Sequence, residues 1–201
     1  MLKVWSQRIV TLGCILTVVA GAAAAQPLDT AGAESCAVRG YAKDSDPKGT
    51  NIRSAPRPDA PIIGRVAPLA KNSGETVGVE FEIVGARNGW LLIQNGDPAD
   101  GLTFDAAHRA DGRGWVSGRL VGTSLRMPAF RSAPRRDAPV VAKMAGDDWG
   151  PDSAAVSVVH GCQGDYIEVT AAPYRGKPVR GWSYKPCSSQ LTTCDGGGMT
   201  E

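Results

Sequence analysis

"RSAPRPDAPIIG" over Arg53–Gly64 is written again, almost letter for letter, as "RSAPRRDAPVVA" over Arg131–Ala142. Between Arg53 and Ile62 and between Arg131 and Val140, eight of ten aligned residues are identical, which chance does not produce. The chain is therefore read as two copies of one small unit. Further on, "IVGARNGWLLI" from Ile83 matches "VHGCQGDYIEV" from Val159 in pattern: a strand, a Gly-bearing turn, an aromatic, then alternating apolar residues. Trp90 thus corresponds to Tyr166. "GRGWVS" from Gly112 and "VRGWSY" from Val179 then place Trp115 opposite Trp182.

Each half reads as all-β. "TNIRS", "PIIGRV", "EFEIVG", "WLLIQ" and "GWVS" are short apolar or alternating runs separated by Gly, Pro, Asn and Asp clusters, and no window of helical length has a 3.6-residue period. Pro56, Pro58 and Pro61 exclude a helix or central strand just after Arg53, because each lacks a backbone donor. The first half carries a longer hairpin, "NGDPADGLTFDAAHRADGR", than the second, "AAPYRGKPVR". Units of this size fit small barrels that close their own edges. The expected fold is all-β, with two tandem small β-barrels.

The N-terminus bears on compartment rather than fold. Lys3 and Arg8 precede the apolar run "IVTLGCILTVVAGAAAA", which ends in Ala23, Ala24 and Ala25 before "QPLDT". This is the pattern of a secretory signal peptide over residues 1–25, with cleavage expected between Ala25 and Gln26. The Ala-rich end favours cleavage over an uncleaved anchor, so no stable membrane anchor is expected. A lipoprotein reading through Cys14 fits worse, since most of the apolar run follows that cysteine.

Removing residues 1–25 takes away Lys3 and Arg8 and no acidic group, leaving 20 basic against 20 acidic residues. That balance, with no Lys/Arg block, argues against a nucleic-acid partner, which requires excess positive charge to displace counterions. The remaining chain holds Cys36, Cys162, Cys187 and Cys194. An even cysteine count behind an export signal reads as a disulfide framework.

"TNIRSAPRPDAPIIGRV", then "FEIVGARNGWLLI", then "GRGWVSGRLV" together resemble the bacterial SH3-like domain, the cell-envelope relative of the Src-homology-3 barrel. The second half is similar, and its ending "GWSYKPCSSQLTTC" resembles a cysteine-bearing tail seen on some exported members. After the signal peptide over 1–25, the resemblance implies an N-terminal linker over 26–35, one barrel over 36–122, a second with its cysteine-bearing tail over 123–194, and a flexible C-terminus over 195–201. It also implies binding to cell-wall peptides or protein segments. The acidic, tyrosine-rich motif of proline-peptide grooves is absent, so proline-peptide recognition does not carry over.

Trp90, Trp115, Tyr166 and Trp182 sit at equivalent strand positions and are expected to be core residues. Trp149, in "AGDDWGPDS", and Tyr174, in "APYRG", stand in predicted loops without counterparts and are the better ligand-contact candidates. Arg53 and Arg131 are weaker candidates: each precedes "SAP" at a strand end, with Asp59 or Asp137 six residues on as the expected partner in a loop staple.

Catalytic readings fare poorly. "HGC" brings His160 near Cys162, but an exported cysteine with three possible partners is expected to be oxidised and inert; His108 is the only other histidine. Zinc would need reduced thiols in paired spacing, and "DPADG" with Asp105 lacks the alternating ligands of a calcium loop. No catalytic residue, metal or cofactor is expected.

By the repeat boundaries Cys36 is alone in the first half, so full oxidation within one chain requires one bond between the halves. The geometry of an SH3-like barrel implies Cys162 with Cys187, leaving Cys36 with Cys194. The expected protein is a periplasmic or secreted, non-enzymatic binding module for peptidoglycan peptides or an envelope protein. The alternative is an accessory subunit or inhibitor regulating a cell-wall hydrolase or protease.

Overall fold

A computed structural model describes residues 26–127, 129–143, 154–173 and 177–191. The signal-peptide reading of 1–25 lies outside them, as do Trp149, Tyr174, Cys194 and 195–201. The described strands run β1 (Glu34–Ala42), β2 (Thr50–Arg53), β3 (Ile62–Val66), β4 (Ala70–Asn72), β5 (Glu75–Val77), β6 (Glu80–Arg87), β7 (Trp90–Asp97) and β8 (Leu102–Phe104). They continue as β9 (Gly114–Ser117), β10 (Val121–Gly122), β11 (Ala129–Arg131), β12 (Val140–Lys143), β13 (Ala154–Gln163), β14 (Tyr166–Pro173) and β15 (Val179–Tyr184). A single 3-10 turn, Gly118–Leu120, is the only helical element among the described residues, and none of their helices is long and apolar enough to cross a membrane.

Turn chemistry sets the two longest hairpins. Asn88 and Gly89 join β6 to β7, both with positive φ (51° and 79°), the requirement of a two-residue turn whose twist matches its strands. Gly164 and Asp165 join β13 to β14, with only Gly164 at positive φ (54°), the mirror-image turn that needs glycine first. Alternation then buries Phe81 and Ile83 on β6, and Ile167 and Val169 on β14.

One sheet has the order β10-β1-β6-β7-β9-β2-β3-β8, the other β12-β11-β15-β14-β13, and β4 with β5 forms a separate ribbon. The run β3-β2-β9-β7-β6 has the same order as β12-β11-β15-β14-β13. The closure expected of a barrel is not seen: no pairing among the described residues joins the ends of either sheet. In the first sheet β1 and β10 extend one side and β8, from the long hairpin, extends the other, so the row lengthens instead of closing.

The sheets share one apolar core. Ile52, Phe81, Ile83, Leu91 and Ile93 pack in the same buried cluster as Phe130, Val159, Ile167 and Val169. Cys36 on β1 is disulfide-bonded to Cys162 on β13, and the neighbouring backbone adds Ala37 N–H to Gly164 O and Gly164 N–H to Ser35 O, both 2.8 Å. The expected bond between the halves exists, with a different pairing. Cys162 is held by Cys36, which overturns both Cys162 with Cys187 and Cys36 with Cys194; Cys187 is disulfide-bonded as well. The reason is that β13 lies against β1, placing the two Cα atoms 5.6 Å apart.

Residues after Cys187 return to the first sheet. Ser124 and Cys187 exchange backbone bonds of 2.9 and 3.0 Å, and the Gln190 side-chain amide donates to Gly78 O and accepts from Gly78 N–H, both at 2.8 Å. Ser188 accepts from Arg39 Nε and donates to Glu80. Lys43 Nζ donates to the carbonyls of Val156 (3.1 Å) and Ser157 (2.6 Å) on β13, and burial holds its pKa below the usual value.

Candidate functional site

The repeated dodecamer builds one turn twice. Arg53 donates to Ala60 O at 2.7 Å and Arg131 to Ala138 O at 2.9 Å, each reaching over a buried alanine. Ser54 N–H bonds to Pro61 O in one turn as Ser132 N–H bonds to Pro139 O in the other. Asp59 and Asp137 are not the partners of these arginines: they pair with Arg57 (2.8 Å) and Arg135 (2.9 Å) on the exposed rim. The short Arg-to-carbonyl reach takes the guanidinium inward, and the second arginine of "RSAPR" is left for the carboxylate. Arg53 and Arg131 are thus turn staples.

Of the four aromatics expected in the core, Trp115 alone is fully buried; Trp90, Tyr166 and Trp182 are half-buried. Trp115 is contacted by the segment read from sequence as a linker. Residues 26–33 form an arm that lies against the first sheet: Trp115 Nε1–H donates to Asp29 O, and Asp29 N–H donates to Ser54 O, both 2.8 Å. Arg87 binds the Asp29 carboxylate (2.6 Å) and the Ala31 carbonyl while lying over the Trp115 ring, 5.7 Å from its centroid. The Arg87 hydrogen bond holds the Asp29 carboxyl below the usual range.

His108 anchors the start of the arm. It is buried, with Nδ1 2.7 Å from Asp105 Oδ1 and Nε2 2.8 Å from the Gln26 carbonyl. Both partners offer oxygen acceptors, an arrangement that favours the imidazolium cation, in which both ring nitrogens donate. Burial opposes that charge, but the Asp105 carboxylate and the Gln26 carbonyl outweigh it and raise the pKa. Asp105 is correspondingly lowered, chiefly by its bond to His108. Nothing in the sequence around His108 marks this contact, because its partner lies 82 residues earlier in the chain.

Two open clefts combine aromatic and polar walls. One, of about 590 Å³, lies where the β6–β7 turn and the 3-10 turn face β13, lined by Asn88, Trp90, Ser117, Arg119, Ser157 and His160. Arg119 is exposed and its guanidinium makes no hydrogen bond or ion pair among the described residues. His160 Nε2 is 2.7 Å from Thr170 Oγ1, and burial, aided by Arg180, lowers its pKa. Its neighbour Cys162 is consumed in a disulfide and provides no thiol nucleophile. The other cleft, of about 670 Å³, is lined by Pro134, Arg135, Gln163, Asp165, Tyr166 and Tyr184, with the two tyrosine rings 5.0 Å apart.

The described residues hold no cluster of three or more His, Cys, Asp and Glu side chains that could ligate a metal. Trp149 and Tyr174 cannot be placed at either cleft, being outside the described residues.

No family model, no curated protein and no solved structure matches the chain. The site is therefore read from its own geometry.

Proposed function

We propose that the protein is a non-enzymatic binding module of the bacterial envelope, periplasmic or secreted, in which two copies of an SH3-like unit hold a cleft for peptidoglycan peptides. The equal strand orders, the equal Arg-to-carbonyl staples and the paired turns support the tandem reading. The observation that carries the functional reading is the cleft between the sheets, where a half-buried indole, Trp90, stands with an unpaired guanidinium, Arg119. An indole takes the aliphatic part of a peptide and a guanidinium takes its carboxylate in a bidentate fork. Stem peptides of the wall offer both. Because the sheets share a core and a disulfide, the cleft is already formed before a ligand arrives.

The test is sedimentation of the full mature chain with purified sacculi. Retention that weakens about tenfold or more in Arg119→Gln and in Trp90→Ala supports the reading, that loss being of the size expected for a charge-assisted contact or an aromatic anchor. Absence of binding in both oxidised and reduced protein, or retention unchanged in both variants, sinks it.

A further inference from the structure

The N-terminal arm is a bound peptide in all but connectivity, and its seat has a counterpart in the second sheet that no segment among the described residues occupies in the same way. In the first sheet the seat consists of the Trp115 indole N–H, the Ser54 carbonyl and the Arg87 side chain, all three contacting Asp29. Register places the same three positions in the second sheet. Arg131 pairs with Trp182 as Arg53 pairs with Trp115, and Gln163 pairs with Tyr166 as Arg87 pairs with Trp90. Ser132 follows Arg131 in the same turn.

Burial differs between the two seats, and no segment among the described residues lies on the second as the arm lies on the first. Ser54 and Trp115, which the arm contacts, are buried, whereas Ser132 is exposed and Trp182 only partly buried. Among the described residues, no hydrogen bond leaves the Trp182 indole and none reaches the Ser132 carbonyl. Beside this seat, an open cleft is lined by Gln163, the counterpart of Arg87, with Pro134, two residues after Ser132, and Tyr184, two residues after Trp182.

We infer that the face around Trp182 docks an extended peptide segment of a partner, held through its main chain as Asp29 is held: a carbonyl on Trp182 Nε1–H and an amide N–H on the Ser132 carbonyl. Main-chain bonds of this kind supply affinity, and the side-chain position between them supplies selectivity. Here the selectivity differs from that of the first seat. Gln163 stands where Arg87 clamps a carboxylate, so the second seat takes a neutral, hydrogen-bonding side chain at that position. Pro134 and the Tyr166–Tyr184 pair offer an apolar wall for the residue beside it. This site is separate from the Trp90 and Arg119 cleft, and its test reads a different indole.

The test uses the full mature chain, whose own arm fills the first seat, and two acetylated peptides: QPLDTAGA, the sequence of residues 26–33, and the same peptide with Asp29→Asn. Indole N–H resonances, assigned by single Trp→Phe variants, report which seat is used. The Asn peptide is expected to shift the Trp182 resonance saturably and to bind about tenfold tighter than the Asp peptide, the size of a charge left without its partner. Gln163→Arg, an exposed substitution, should reverse that preference without disturbing the fold. A Trp182 resonance unmoved by millimolar peptide, a response at Trp115 instead, or an unchanged Asp/Asn ratio in Gln163→Arg overturns the inference.

Discussion

Gly118 and Val159 stand in backbone contact across the junction of the two sheets: a Cβ built on Gly118 would lie 1.9 Å from the Val159 carbonyl oxygen. Both sides of this contact are backbone, so neither can swing aside. Gly118→Ala is expected to destabilise the folded chain by about 1–3 kcal/mol, the range for an overpacked site. Chemical denaturation with an unchanged m-value checks it; a midpoint within error of wild type would show that the junction yields.

The Cys36–Cys162 bond closes a loop of 126 residues in sequence separation. Its removal in the Cys36→Ser, Cys162→Ser double variant is expected to lose about 2–5 kcal/mol while keeping one cooperative transition, since the apolar core still crosses the junction. Two resolved calorimetric transitions would show that the disulfide, not the core, unites the halves. Non-reducing peptide mapping should recover the Cys36–Cys162 fragment directly.

Trp115 and Trp182 occupy equivalent strand positions and should respond differently to truncation. Trp115→Ala removes a fully buried ring and the bond to Asp29, and should cost about 3–5 kcal/mol. Trp182→Ala removes a partly buried ring and should cost less than Trp115→Ala, about 2 kcal/mol. Equal losses would mean that the second ring is covered in solution.

The His108 contact makes stability depend on pH with a definite sign. Its folded pKa is raised, so its contribution is complete below the unfolded value of about 6.5 and declines as pH rises through the higher folded value. The Asp105 contribution, from a lowered pKa, is lost only in acid, as pH falls through its folded value. The Tm gap between wild type and His108→Gln should therefore be widest between about pH 5 and 6.5 and shrink above it. A gap that grows from pH 6.5 to 9 would contradict the cationic assignment.

All-β character was legible because turn residues and alternation act locally: Asn88–Gly89 and Gly164–Asp165 mark their hairpins without help from distant chain. The repeat likewise exposed the two turns held by Arg53 and Arg131. Partners were less legible, since "RSAPRPD" offers two arginines to one aspartate and only the folded turn shows which reaches the carboxylate. Burial of Trp115 but not Trp182 was hidden for a related reason. Trp115 is contacted by the arm, from 86 residues away, and nothing adjacent in the sequence encodes that contact. Cysteine parity required a bond between the halves, but its identity depended on β13 lying beside β1, a relation that no local pattern encodes.

The Gln190 amide on Gly78, with the Ser124–Cys187 bridge, sets an order on how the molecule can be made. A ribosome delivers the first sheet long before these late residues exist, and before Cys162 can cross to Cys36. Until then the early sheet carries an apolar face and an unmatched thiol, both open to wrong partners. The segment 187–191 therefore acts as a latch that is fitted only after every described strand has been made, and truncations that spare those strands but remove residues 187–191 should accumulate as an unfinished, aggregation-prone species.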